Sequence, residues 1–144
     1  MAELGNNPHI TPDSIRERIQ GTFPGDVGIE PLEISEDRAR GSIVVDRRHL
    51  HPGGFVHGGV WVALADSVAA WGTFRNLPVG YDFTTVELKL NVFSAGREGD
   101  ELVATAEPRH IGRRTQVWVV DIHRGDRRMA LFTLTQFVIA PEGA

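Results

Sequence analysis

Apolar and polar positions change period along this chain, and each change predicts an element. Residues 11–23, TPDSIRERIQGTF, read as a short helix, with Thr11 as N-cap, Pro12 at the first helical position and Gly21 as the stop. VGIEPLEI (27–34) and DRARGSIVVD (37–46) alternate partially and predict two strands of a hairpin joined at SED. RRHLHPGGFV (47–56) predicts an irregular loop held open by Pro52, Gly53 and Gly54. The pattern then turns almost continuously apolar from Gly58 to Phe74, which predicts one long helix, and NLPVGYD follows as a turn. Four strand-like runs complete the chain: FTTVELKLNVF, DELVATAEPRHI, RTQVWVVDIHR and RRMALFTLTQFVIA, separated by the turn-like SAGREG, GR and RGD. Six strands with short connections favour an antiparallel sheet. The single apolar helix needs a surface to cover. The economical arrangement is α+β, a curved sheet wrapped around that helix.

The helix carries one charge. Val60, Trp61, Val62, Leu64, Val68 and Trp71 make it apolar on all sides, the pattern of a buried helix. Asp66 sits among them, with Val62, Ala63, Ala69 and Ala70 three and four positions away. A carboxylate buried without partners is costly and its pKa rises. In a cleft such a group is a candidate general base or nucleophile, and at a subunit seam it is a structural hydrogen-bonding group. HGG at 57–59 begins the helix. Glycines at a helix start leave N–H groups open to an anion or to the oxyanion of a carbonyl under attack. They also simply permit a tight turn or close packing.

Composition narrows the classes. The chain has 144 residues, which fits one domain over residues 1–144, with the first ten as a loose N-terminal arm. At 41% hydrophobic and 24% charged it reads as globular. No apolar run approaches a membrane span, and the N-terminus has no secretory pattern. The absence of cysteine excludes a disulfide framework and a thiolate zinc site, and fits a cytoplasmic protein. A net charge of −4 argues against nucleic acid as the main partner. His49, His51 and His57 lack the further ligands a metal site requires. RGD at 124–126 reads as a turn, and Trp61, Trp71 and Trp118 as core or interface.

HPGGFVHGGVWVALADSVAAWG, with its loop, its HGG and an acid eight residues after the first glycine, resembles the signature of hotdog-fold acyl-CoA thioesterases. The likeness spans roughly residues 25–140 and is nearest the group of phenylacetate-pathway and Arthrobacter-type 4-hydroxybenzoyl-CoA thioesterases. It implies an antiparallel sheet around one helix, subunits paired edge to edge and doubled to a homotetramer, and no cofactor beyond the coenzyme A of the substrate. It further implies a cleft to which one chain contributes the acid and the other the helix start. Carried over, the Gly58 N–H, with Gly59 beside it, polarises the thioester carbonyl. Asp66 attacks that carbonyl or activates a water, and His57 shapes the oxyanion end. His51 stands where relatives often have Asn or Gln, and Thr85 matches a residue that positions water. Arg113, Arg114 and Thr115 match a region that contacts coenzyme A, against the alternative of a solvated hairpin tip, with Arg75 and Arg97 as weaker candidates. The expected activity is hydrolysis of an aryl-, arylacetyl- or medium-chain acyl-CoA. A hotdog hydratase or dehydratase using His51 or His57 with Asp66, and a non-catalytic acyl-CoA sensor, are the alternatives. The first lacks its acid-to-His helix motif, and the second its customary DNA-binding segment.

Overall fold

The computed structural model describes residues 5–143. Helix α1 (Pro12–Arg18) starts where the sequence places it. Ser14 N–H donates to Thr11 Oγ1 at 3.2 Å and Thr11 N–H donates to Ser14 Oγ at 2.9 Å, a reciprocal cap around Pro12. It ends at Arg18, before Gly21. A one-turn helix α2 (Phe23–Asp26), absent from the sequence reading, leads into β1 (Glu30–Ile34) and β2 (Ala39–Val44). The long helix α3 (Gly58–Arg75) then precedes β3 (Asp82–Val92), β4 (Glu101–Ile111), β5 (Thr115–Arg124) and β6 (Arg127–Ile139).

The six strands form one antiparallel sheet in the order β1-β2-β4-β5-β6-β3. The connection from β2 to β3 therefore passes β4, β5 and β6, and α3 lies across the inner face of the sheet. The inward alternation of β4 (Leu102, Ala104, Ala106), β5 (Trp118, Val120, Ile122) and β6 (Phe132, Leu134) meets Trp61, Leu64, Ala65, Val68 and Trp71 of the helix. Each fully buried large side chain contributes about 1.5–3 kcal/mol of transfer free energy. Two glycines let sheet and helix approach. A Cβ at Gly41 would lie 2.7 Å from Trp71 and Val68, and one at Gly72 would lie 2.5 Å from the Trp118 ring.

The loop predicted at 47–56 contains a 3₁₀ turn, Arg47–His49, built around a buried histidine. His49 Nδ1 accepts from Asp46 N–H at 2.8 Å, so its proton sits on Nε2, which donates to Val27 C=O at 2.7 Å. The predicted loose arm needs correction over its described part. Residues 1–4 lie outside the described residues. Ile10, however, is buried in the core and Asn7 N–H donates to Arg75 C=O at 2.9 Å, because one apolar side chain at the arm's end suffices to dock it.

A β-bulge between Thr85 and Glu87 positions the site. The inserted residue resets the alternation, so that Thr85 and, past the bulge, Leu88 both face the helix side. β3 is also the sheet's long open edge. Val86 is 59% and Leu88 43% exposed there, and Phe93 just beyond is exposed too. The opposite edge, β1, is short and carries Pro31 and two glutamates, the usual protection for a free edge.

Candidate active site

Asp66 is half-buried two turns into α3, on a stripe with Val62, Ala63 and Ala70 that the sheet does not fully cover. Its Oδ1 lies 2.9 Å from Thr85 Oγ1. Burial pushes the carboxyl above its ordinary value of 3.8, and the Thr85 hydrogen bond opposes that rise. The sequence-predicted pair of Asp66 and Thr85 is thus in direct contact.

The helix start has a defined polarity. His57 caps it with backbone φ −64° and ψ 140°, and its Nδ1 accepts from Gly59 N–H at 2.9 Å. The Gly59 donor is therefore consumed, while Gly58 N–H has no acceptor among the described residues. His51 is held by its own loop, with Nδ1 accepting from Gly53 N–H at 2.9 Å and the ring tilted against Phe55. His51 and Gly58 border an open recess of about 440 Å³ whose apolar wall includes Phe55, Trp61, Val92 and Phe93. The Arg97 guanidinium sits 4.7 Å from the Phe55 ring centroid at this end of the molecule.

Eight residues of helix separate Gly58 from Asp66, about 12 Å at 1.5 Å per residue. One chain cannot bring both to one carbonyl group. Arg113 and Arg114 form the exposed β4–β5 hairpin tip, closed by Gly112 N–H to Thr115 C=O at 2.9 Å. Neither guanidinium has an ion pair among the described residues. Thr115 adjoins Gln116, which pairs with Gln136, which pairs with Thr85, so this tip lies at the Asp66 end of the sheet. Arg75, by contrast, is 3.7 Å from Glu36 and is engaged within the fold.

Gln116 and Gln136 escaped the sequence reading, although both are essentially fully buried. Gln136 Oε1 lies 2.9 Å from Thr85 Oγ1, and Trp118 Nε1–H donates to Gln116 Oε1 at 3.3 Å. The signal was a polar residue in phase with the inward apolar positions, Gln136 with Phe132 and Leu134, Gln116 with Trp118 and Val120.

Comparison with known proteins agrees with this architecture. Residues 53–131 match the model of the thioesterase superfamily. The chain is 32% identical over 96 residues to the 1,4-dihydroxy-2-naphthoyl-CoA hydrolase of Listeria monocytogenes, covering 67% of this chain and 77% of that one. Among solved structures it is similar to a thioesterase of Haemophilus influenzae, at 26% identity and a TM-score of 0.87 over all of both chains. It is also similar to the phenylacetic acid degradation protein of Thermus thermophilus, at 28% identity and a TM-score of 0.74 over 80% of this chain and 96% of that one. The recess beside a capped helix start, the half-buried acid on that helix and the sheet around it thus sit in a hotdog fold, and the chain belongs to the thioesterase superfamily, enzymes that hydrolyse thioesters.

Proposed function

We propose that this protein hydrolyses the thioester of an aryl- or arylacetyl-CoA, with medium-chain acyl-CoA as the second class, in a site shared by two subunits. The observation that carries the reading is the separation just described. Asp66 is seated on Thr85, Gly58 N–H is free, and the two lie about 12 Å apart on one helix. A second copy laid antiparallel brings its Gly58 to the Asp66 of the first. The long open edge of β3, with Val86, Leu88 and Val92 exposed, and the uncovered Val62–Ala63–Ala70 stripe support that partner.

In such a site the Gly58 N–H, reinforced by the helix dipole, receives the charge that grows on the thioester oxygen. Asp66 supplies the other half, as nucleophile at the carbonyl carbon or as base toward water. Thr85 holds Asp66 in place. His57 keeps the helix start open by occupying Gly59, and His51 presents an imidazole at the recess. The aromatic wall of Phe55, Trp61 and Phe93 suits a flat acyl group, in keeping with the naphthoyl-CoA in the Listeria relative's name. Arg113 and Arg114, with Thr115, suit the phosphates of coenzyme A. The chain acts as one hotdog domain, needs no cofactor of its own and works as a dimer of dimers in the cytoplasm. Among the described residues no helix is long and apolar enough to cross a membrane.

The test is thiol release from benzoyl-, phenylacetyl- and octanoyl-CoA by the native protein and by Asp66→Asn. Fast release from one class, lost by orders of magnitude in the variant, is expected. Calorimetric binding without release, or hydration of an enoyl-CoA with the thioester intact, would refute the assignment.

A further inference from the structure

The hydroxyl of Thr85 faces two acceptors. Its Oγ1 is 2.9 Å from Asp66 Oδ1 and 2.9 Å from Gln136 Oε1, but a hydroxyl carries one proton and donates it once. At the same time Gln136 Nε2 is buried without a hydrogen-bond partner among the described residues. Turning the Gln136 amide over removes the first conflict and takes the Nε2 donor out of the place where it has no acceptor. Nε2–H then donates to Thr85 Oγ1, and the Thr85 proton has one destination, Asp66. The Trp118 indole only donates, and it donates to Gln116 Oε1, which leaves the NH₂ as the donating side of the Gln116 amide. Gln116 and Gln136 are directly opposite across β5 and β6, and Gln136 and Thr85 directly opposite across β6 and β3, at the separation where side chains of a pair meet.

We infer that Gln136 is a positioning residue for the hydrolytic site: its amide forms a one-way donor chain from β6 through β3 that commits the Thr85 hydroxyl to the Asp66 carboxylate. The inference rests on the reading of Asp66 as the reacting acid. An amide NH₂ on one side of Thr85 and a carboxylate, acceptor-only when ionised, on the other leave a single consistent order of protons. With that order Asp66 is held oriented, and the Thr85 hydrogen bond favours its ionised form against the effect of burial. With the amide reversed, Thr85 donates away from Asp66 and the acid must keep its own proton to satisfy Thr85. Gln136 touches no substrate in this account and acts only through Thr85.

No other ionisable group intrudes from the packed elements of the described chain. On α3 Asp66 is alone between Gly58 and Phe74. On β3 the register puts Leu88 and Leu90 opposite the core residues Leu134 and Phe132, so the intervening Glu87 and Lys89 face away. On β6 the neighbours of Gln136 are Thr135 and Phe137, which alternate outward.

The experiment compares native protein, Gln136→Met, Gln136→Leu, Thr85→Val and Thr85→Val/Gln136→Met, using the fastest-cleaved acyl-CoA of the panel. Gln136→Met should lower kcat about three- to ten-fold, the worth of one neutral hydrogen bond, with KM within about two-fold. The acidic limb of its kcat/KM profile should move to higher pH. Gln136→Leu, of different shape, should give the same displacement, and Gln136→Met should cost nothing further in the Thr85→Val background. An unmoved acidic limb in both glutamine variants, or losses that multiply with Thr85→Val, overturns the inference. Asp66→Asn separates the two levels. Near-native rates in it sink the reading of Asp66 itself, whereas an inactive Asp66→Asn beside silent glutamine variants sinks the donor chain alone.

Discussion

If each reaction centre is built from two chains, two inactive variants must restore one another. Gly58→Pro is the clean perturbation at the helix start. Gly58 is the first helical residue, where proline is favoured, and no atom lies within 4 Å of a Cβ built there. His57 already has the extended backbone that a following proline demands, with φ −64° and ψ 140°. The substitution therefore deletes one N–H and little else. Loss of such a donor should lower kcat about 10²–10³-fold. Asp66→Asn, which leaves the Thr85 contact an acceptor, should be inactive independently. When the two are unfolded together in equal amounts and refolded, half of the dimers are mixed. Each mixed dimer holds one doubly damaged site and one site with the native Asp66 of one chain and the native Gly58 of the other. Activity should return to about a quarter of native, against nearly none in either variant alone. The readout is thiol release before and after co-refolding. No recovery, with mixed dimers verified by native mass spectrometry, would mean that each chain completes its own site and that the helix spacing argument is wrong.

Two stability predictions follow from the same region. Burial raises the Asp66 carboxyl above the unfolded value of 3.8, so its ionisation costs stability once the pH exceeds that value. Asp66→Asn should accordingly raise Tm at pH 7, with the gain fading as the pH falls toward 3.8; a lower Tm at neutral pH would contradict it. Gly72→Ala sets a methyl 2.5 Å from the fully buried Trp118 ring, and the overpacking cost of about 1–3 kcal/mol exceeds the helix-propensity gain of about 1 kcal/mol or less. Thermal unfolding should show a Tm lower by a few degrees, and an unchanged or raised Tm would show that the ring yields.

The elements were legible because their signals are local. The Thr11–Pro12 start, the unbroken apolar run of α3 and the period-two strands carry their own periodicity, and their bounds fall within a few residues of the expected ones. What was hidden depends on contacts distant in sequence. His49 reads as one of several loop histidines, and only the fold shows both ring nitrogens bound in place. Ile10 reads as part of a loose arm until the core receives it. The free donor at Gly58 and the consumed one at Gly59 differ only through the His57 ring. Asp66 was conspicuous as a charge in an apolar run, and Thr85 came through family resemblance. Gln136 gives little away in the sequence, because one polar residue in an alternating strand is a weak signal.

The weak signals gain force by converging. Asp66 breaks the apolar pattern of α3, and Gln116 and Gln136 break the inward alternation of β5 and β6. The bulge at Val86 breaks the pleat of β3. Each alone is a small defect with an ordinary explanation. Folding brings three of the four to Thr85, a single hydroxyl, and sets the fourth, Gln116, one strand further on, opposite Gln136. A core selected only for stability would fill these positions with Leu or Val, since a polar group left without a partner costs about 1–3 kcal/mol. Polar side chains at these positions fit the proposed role of Asp66, an acid half-buried on the helix and needed in its charged form. That combination requires a donor aimed at it, and an aimed donor requires something behind it to fix its direction.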